Sequence, residues 1–147
     1  MEKEIKNFIE DYGSIYIKIN DEQSIKKIYD LLINNIIVEP INDIEYLYFG
    51  FYYQEVIKDF EIMLKYYLKA IQKGNSDAMF NLGSYYKEQG DYKQMEKYYL
   101  EAINNGDNDA MNNLEVHYLE NNNYIELIKF YYKYNHKKDL IKSISKF

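Results

Sequence analysis

The sequence has no cysteine, no arginine, no tryptophan and no threonine, and one proline in 147 residues. Without cysteine there is no disulfide framework and no thiolate metal site, and the redox compartment is left open. The lone proline, Pro40, falls in a connector, where helices should stop. No apolar run is long enough to span a bilayer; the longest clusters, such as LLINNIIV, are short and interrupted by asparagine. The first residues, MEKEIKNFIEDYG, mix charges with apolar side chains, which a signal peptide does not do. The net charge of −6 lacks the clustered cations that phosphate binding needs, which argues against nucleic acid. The expectation is a soluble cytoplasmic protein of one domain.

What is present is lopsided. Asn, Ile, Lys and Tyr are abundant, and 19 residues are tyrosine. Two readings fit: the codon bias of an AT-rich genome, and an aromatic surface suited to interfaces, since tyrosine anchors contacts at low entropic cost.

The organisation lies in a repeat. KYYLKAIQKGNSDAMFNL from Lys65 returns as KYYLEAINNGDNDAMNNL from Lys97, with 12 of 18 letters identical at an offset of 32. A period of this size marks stacked units that cannot bury their own faces alone. Apolar positions recur at helical spacing: Ala78, Met79, Leu82 and Tyr86 with Gly83, then Tyr92, Met95, Tyr99, Ala102 and Ile103. Gly90 followed by Asp91 supplies a left-handed stop and an N-cap; Gly74 and Gly106 stop the second helices, with Ser76 or Asn108 to cap the next helix. In the third copy Asn122 and Asn123 take the Gly-Asp place, so the turn should survive at some cost. The first copy, from Phe49, matches the second from Leu82 with one extra residue in the turn.

The spacing predicts units over 43–74, 75–106 and 107–135, preceded by a degenerate unit over 1–42 and followed by a capping helix over 136–147. Within the first 42 residues helices are expected near 2–12 and 21–35, while residues 14–20 (SIYIKIN) read as helix or strand. The closing stretch carries an apolar stripe, Leu140, Ile141, Ile144 and Phe147, and a basic patch, Lys137, Lys138, Lys142 and Lys146. It reads as a solvated cap, or as a basic amphipathic helix for a membrane surface or acidic partner.

The pattern Leu82-Gly83, Tyr86, Gly90-Asp91-Tyr92, Tyr98-Tyr99, Ala102 and Gly106 resembles the tetratricopeptide repeat, and the AI..G...DAM.NLG phrase its Sel-one-like relative. The residue bias is similar to versions encoded by AT-rich genomes, including those of giant DNA viruses, which would place the protein in host cytoplasm or a virion. The resemblance implies an all-α, right-handed α-solenoid whose first helices line a groove for a peptide or protein surface. Carried onto this chain, the groove positions are Leu47, Phe51 and Gln54, then Phe80, Ser84 and Lys87, then Asn112, Val116 and Leu119. The departures are Met63, Met95 and Leu127, where the family has a small residue, which implies wider or rearranged packing within a unit. Glu115 stands in the place of Gly50 and Gly83, and Tyr134 in that of Ala70 and Ala102.

Chemistry is sparse. His117 with Glu120, and His136 with Asp139, offer two ligands each and no third. The DND at Asp107 lacks the glycine and glutamate of a calcium loop. There is no phosphate loop, nucleophile elbow or Cys–His pair. The expectation is a non-enzymatic adaptor with no cofactor or metal. A self-assembling structural or regulatory protein using its ends is the alternative, and an enzyme subunit acting through scattered carboxylates is the third.

Overall fold

The computed structural model describes residues 38–134 together with Lys27, Asp30, Leu31, Asn34 and Ile36. Every described element is helical: α1 (Asp43–Tyr52) running into a π-helical turn (Tyr53–Ile57), α2 (Phe60–Gln72), α3 (Ser76–Glu88), α4 (Tyr92–Asn104), α5 (Asn108–Glu120) and α6 (Tyr124–Lys133). The helices start at residues 43, 60, 76, 92, 108 and 124, a step of 16 after an initial 17. Consecutive helices pack against one another within two compact units, residues 1–107 and 108–147. Lys27, Asp30, Leu31 and Asn34 are helical, inside the stretch expected near 21–35. The helix near 2–12, the ambiguous 14–20, the capping helix and its lysines lie outside the described residues.

The second helices bury one stripe each, at the same spacing. It comprises Met63, Tyr66, Tyr67 and Ala70 in α2, and Met95, Tyr98, Tyr99, Ala102 and Ile103 in α4. In α6 it is Leu127, Phe130 and Tyr131. Tyr92 was expected on this stripe and is instead 51% exposed: it shares the angular position of Tyr99 and Ile103 but sits at the first residue of α4, where the stripe runs out at the helix end.

The turns explain why the steps are so regular. At Gly74, Gly90 and Gly106, φ is +86°, +75° and +88°. Each glycine N–H bonds the carbonyl three residues back, and the next N–H bonds the one five residues back, as in Asp91 N to Tyr86 O at 2.9 Å. This is the Schellman stop, which satisfies carbonyls the helix end leaves orphaned. Asn122 makes the same turn with φ +55°, and Asn123 N reaches Tyr118 O at 2.8 Å. The αL place is kept, but Asn123 makes no side-chain capping bond, so the expected cap is missing there. Asp59 and Asp91 do cap, accepting from Ile62 N and Gln94 N at 3.1 Å. The cap of α3 is Asn75, one residue before the expected Ser76: its Oδ1 accepts Ala78 N at 2.8 Å. Ser76 and Asn108 are already helical.

The extra residue of the first copy does not lengthen a loop. It is absorbed as the π-helical turn, after which Lys58 takes the αL position (φ +62°) that Gly90 fills in the next copy. Ahead of α1, Asn42 caps the helix, with Oδ1 accepting Glu45 N at 2.8 Å. Glu45 is 1% exposed, a costly place for a carboxylate, and both of its oxygens are answered. They accept from Ile41 N at 2.8 Å, Lys27 Nζ at 3.1 Å and Asn42 Nδ2 at 3.1 Å.

Candidate interaction surface

Two contacts close the helical hairpins; the first recurs in all three and the second in two. The first is an aromatic pair across the two helices. Tyr53 stacks on Tyr66 (centroids 5.5 Å apart), Tyr86 on Tyr98 (5.7 Å, planes 2° apart), and Tyr118 meets Phe130 edge-on (6.2 Å). The second is a tyrosine of the second helix laid on a glycine of the first. A Cβ at Gly50 would come within 2.4 Å of the Tyr67 ring, and one at Gly83 within 2.6 Å of Tyr99. Here the glycine serves close approach rather than a special φ. In the third copy Glu115 replaces the glycine, and the Tyr131 hydroxyl donates to its carboxylate. The expected rearrangement within units therefore has a concrete form. Met63 and Met95 are fully buried, and room for the facing helix is found at the glycine instead.

These buried tyrosines carry the first-helix residues that face away from the core. Tyr67 donates to Gln54 Oε1 at 2.8 Å, and the Tyr99 hydroxyl pairs with Ser84 Oγ at 3.0 Å. Phe80 stacks on Tyr99 at 5.7 Å. One fully buried ring thus supports Phe80 and Ser84 together, and Phe80 packs on the second helix of its own unit. Phe51, Gln54, Phe80, Ser84 and Lys87 are all partly exposed. Leu47 is different: it is 1% exposed within the core cluster and has no surface to offer a partner. Tyr48, Phe49 and Gly50 beside it are buried as well, so this part of α1 is enclosed by packing. In the other unit, Asn112 and Val116 are exposed and Leu119 is half-buried.

Sequence reasoning missed two residues beneath this surface. Among the described residues, the buried hydroxyl of Tyr48 and the buried Nδ2 of Asn81 meet no partner with hydrogen-bond geometry. They occupy the same repeat position, one residue before the aligned pair Phe49 and Leu82. Burial, with the Asp77 charge adding to it, pushes ionisation of Tyr48 far above the usual tyrosine range. Burial does the same to Tyr67, with Asn81 opposing it, and raises Tyr99, with Ser84 opposing it. At neutral pH these hydroxyls therefore serve as neutral donors and acceptors.

Among the described residues no group of three His, Cys, Asp or Glu side chains is close enough to hold a metal ion. His117 Nδ1 lies 3.2 Å from Asn121 Nδ2, a contact within one helix turn. The Asp77 carboxyl is pushed up by burial, then by Asp107 and Asp43. Asp43 also accepts a 2.8 Å bond from Asn75, which ties the start of α3 to the start of α1. Among the described residues no helix is long and apolar enough to cross a membrane. Comparison with known proteins gives no matching family model, and no curated protein or solved structure that matches the chain.

Proposed function

We propose that the chain is a non-catalytic interaction module of the tetratricopeptide or Sel-one-like kind. Its first helices would line a groove that takes a peptide or a protein surface. The observation that carries this reading is the support of Phe80 and Ser84 by the single buried ring of Tyr99. A partly exposed aromatic and a neighbouring hydroxyl are held rigid there, so a partner would not have to bear the entropy of ordering them. The same device returns at Gln54 over Tyr67. Phe51 and Lys87 complete the set in residues 1–107, and Asn112, Val116 and Leu119 are its counterparts on α5. Leu47, being buried, is left out.

The test is affinity capture from the native source with the intact chain as bait, alongside a Phe51→Ala/Lys87→Glu variant. Phe80 is a poor first probe, because truncating it also removes its stack on Tyr99. Loss of an aromatic anchor costs about 2 kcal/mol at an interface, roughly thirtyfold in affinity. The bound protein should therefore disappear from the variant while the thermal midpoint holds. A protein retained equally by both baits would place the interaction elsewhere.

A further inference from the structure

The three glycine stops differ in the residue that precedes the glycine: Lys73, Gln89 and Asn105. Asn105-Gly106 is the one Asn-Gly pair in the chain, and that pair can react with itself. The backbone nitrogen of Gly106 can close a cyclic imide on the Asn105 side-chain carbon, and a following residue without a Cβ leaves the approach open. Asn105 is exposed at the end of α4, so water and base reach it. In the folded stop both reacting groups are held elsewhere. Gly106 N–H donates to Ile103 O at 2.9 Å. Asn105 Nδ2 donates to Glu101 O at 2.8 Å and lies 3.5 Å from Met79 Sδ of α3. Asn121, at the end of α5, takes the same pose, with Nδ2 donating to His117 O at 2.8 Å. There the next residue is Asn122, whose side chain stands in the way of the attack.

We propose that Asn105 is a self-modification site gated by the α4 stop, and that its conversion to aspartate or isoaspartate disables that stop for good. Gly106 N gives its proton to solvent base and forms a bond to Asn105 Cγ. The Cγ–Nδ2 bond breaks, and the nitrogen leaves as ammonia with a proton taken from water. Water then opens the imide. Attack at Cγ cuts its bond to Gly106 N and leaves aspartate; attack at the Asn105 backbone carbonyl leaves isoaspartate, with Gly106 N joined to Cγ. Nothing is oxidised or reduced. The gate is the pair of hydrogen bonds that hold the two reacting groups. Each is worth roughly a factor of five, so the fold should slow the reaction about 25-fold. The product cannot rebuild the stop. A carboxylate at 105 offers Glu101 O no donor, and it adds negative charge at the negative end of α4. Isoaspartate also lengthens the backbone between Ala102 O and Asp107 N, which the stop joins at 3.0 Å, and leaves helix-end carbonyls without partners.

The test incubates the full chain in mildly alkaline buffer made with oxygen-18 water, native and in guanidinium chloride. Trypsin releases residues 98–129 as one peptide, which contains both Asn105 and Asn121, and fragmentation locates the incorporated oxygen. In the denaturant Asn105 should convert well ahead of Asn121. In the native chain its conversion should be slower by about 25-fold, the factor set by the two bonds. Conversion of Asn121 as fast as Asn105 in the denaturant, or of neither, would overturn the site. Equal rates for native and unfolded chain would overturn the gate. The converted protein carries an extra negative charge and is separated by anion exchange. Its thermal midpoint should lie below that of the unconverted fraction, and an equal midpoint would show that the stop survives. Asn105→Gln, which copies the Gln89-Gly90 of the preceding turn, should stay unmodified and keep its midpoint through the same incubation. A parallel loss in that variant would assign the ageing to another position.

Discussion

Replacing Gly83 with alanine sets two effects of opposite sign against each other. Alanine is the better helix former, by about 1 kcal/mol, and Gly83 lies in the interior of α3. Against this, the new Cβ would stand 2.6 Å from Cδ1, 2.8 Å from Cε1 and 3.3 Å from Cγ of Tyr99. A normal contact requires the ring to retreat by about 1 Å. The ring has nowhere to go, being 1% exposed, stacked on Phe80 and tethered to Ser84 at 3.0 Å. Overpacking of this kind costs typically about 1–3 kcal/mol, so the steric term wins and the net loss is about 1 kcal/mol.

A sign change makes the reasoning refutable. In a Tyr99→Val background the side chain ends before the clash, and Gly83→Ala should then stabilise by up to about 1 kcal/mol. The Tyr99→Val change alone should cost about 3 kcal/mol, in the range of large-to-small core truncations. The coupling between the two sites is expected at about 2 kcal/mol, within the span found for residues in contact. Urea unfolding of the four proteins, monitored by far-ultraviolet circular dichroism, measures it. Gly90→Ala is the control. Nothing lies within 4 Å of its added Cβ, so any cost comes from φ +75° and should be the same with or without the Tyr99 ring. If Gly83→Ala stabilises in both backgrounds, the tyrosine-on-glycine contact does not hold the hairpin together.

Three other outcomes are expected from the same geometry. Ala102 is fully buried in α4, and Ala102→Leu should lower stability by about 1–3 kcal/mol, read as a fall in the thermal midpoint. Lys58 and Asn122 both hold αL turns without being glycine, and asparagine tolerates that region better. Lys58→Gly should therefore stabilise by up to about 1 kcal/mol and Asn122→Gly by less, and the reverse order in urea midpoints would count against the turn assignment. Asp77 titrates above its ordinary value of 3.8 in the fold because of burial, then Asp107 and Asp43. The folded state thus holds the proton more tightly than the unfolded one, so this group opposes folding at neutral pH and does so less as pH falls through the raised value. Asp77→Asn should accordingly gain more stability, relative to the parent, at pH 7 than at pH 4; an equal difference at both would mean that neither burial nor the neighbouring carboxylates raise this group in the fold.

How much of this was readable in advance depends on which physical term decided each feature. Helices, their stops and their even spacing were legible because they rest on local chemistry: a glycine before a capping side chain, and apolar residues at 3.6-residue spacing. The extra residue near Gln54 was visible as a count. Its conformation was not, since a loop extension and a π-helical turn use the same letters; the packing of Tyr53 on Tyr66 selects the helical solution. Asn75 instead of Ser76 as the cap is a one-residue shift between two good capping residues. It is settled by the tertiary bond from Asn75 to Asp43, which no local rule contains. The candidate surface was harder still. Leu47 and Phe51 lie one helical turn apart on α1, and burial separates them although both are apolar. Phe80 looked out of place on the outer side of α3 because its support, Tyr99, lies on another helix. Once the glycine at 83 is understood as a seat for that ring, the three letters Phe80, Gly83 and Ser84 become one statement. Together they hold a single tyrosine by stacking, by close approach and by a hydroxyl contact. In the third copy, where glutamate replaces the glycine, the tyrosine is held by its hydroxyl instead.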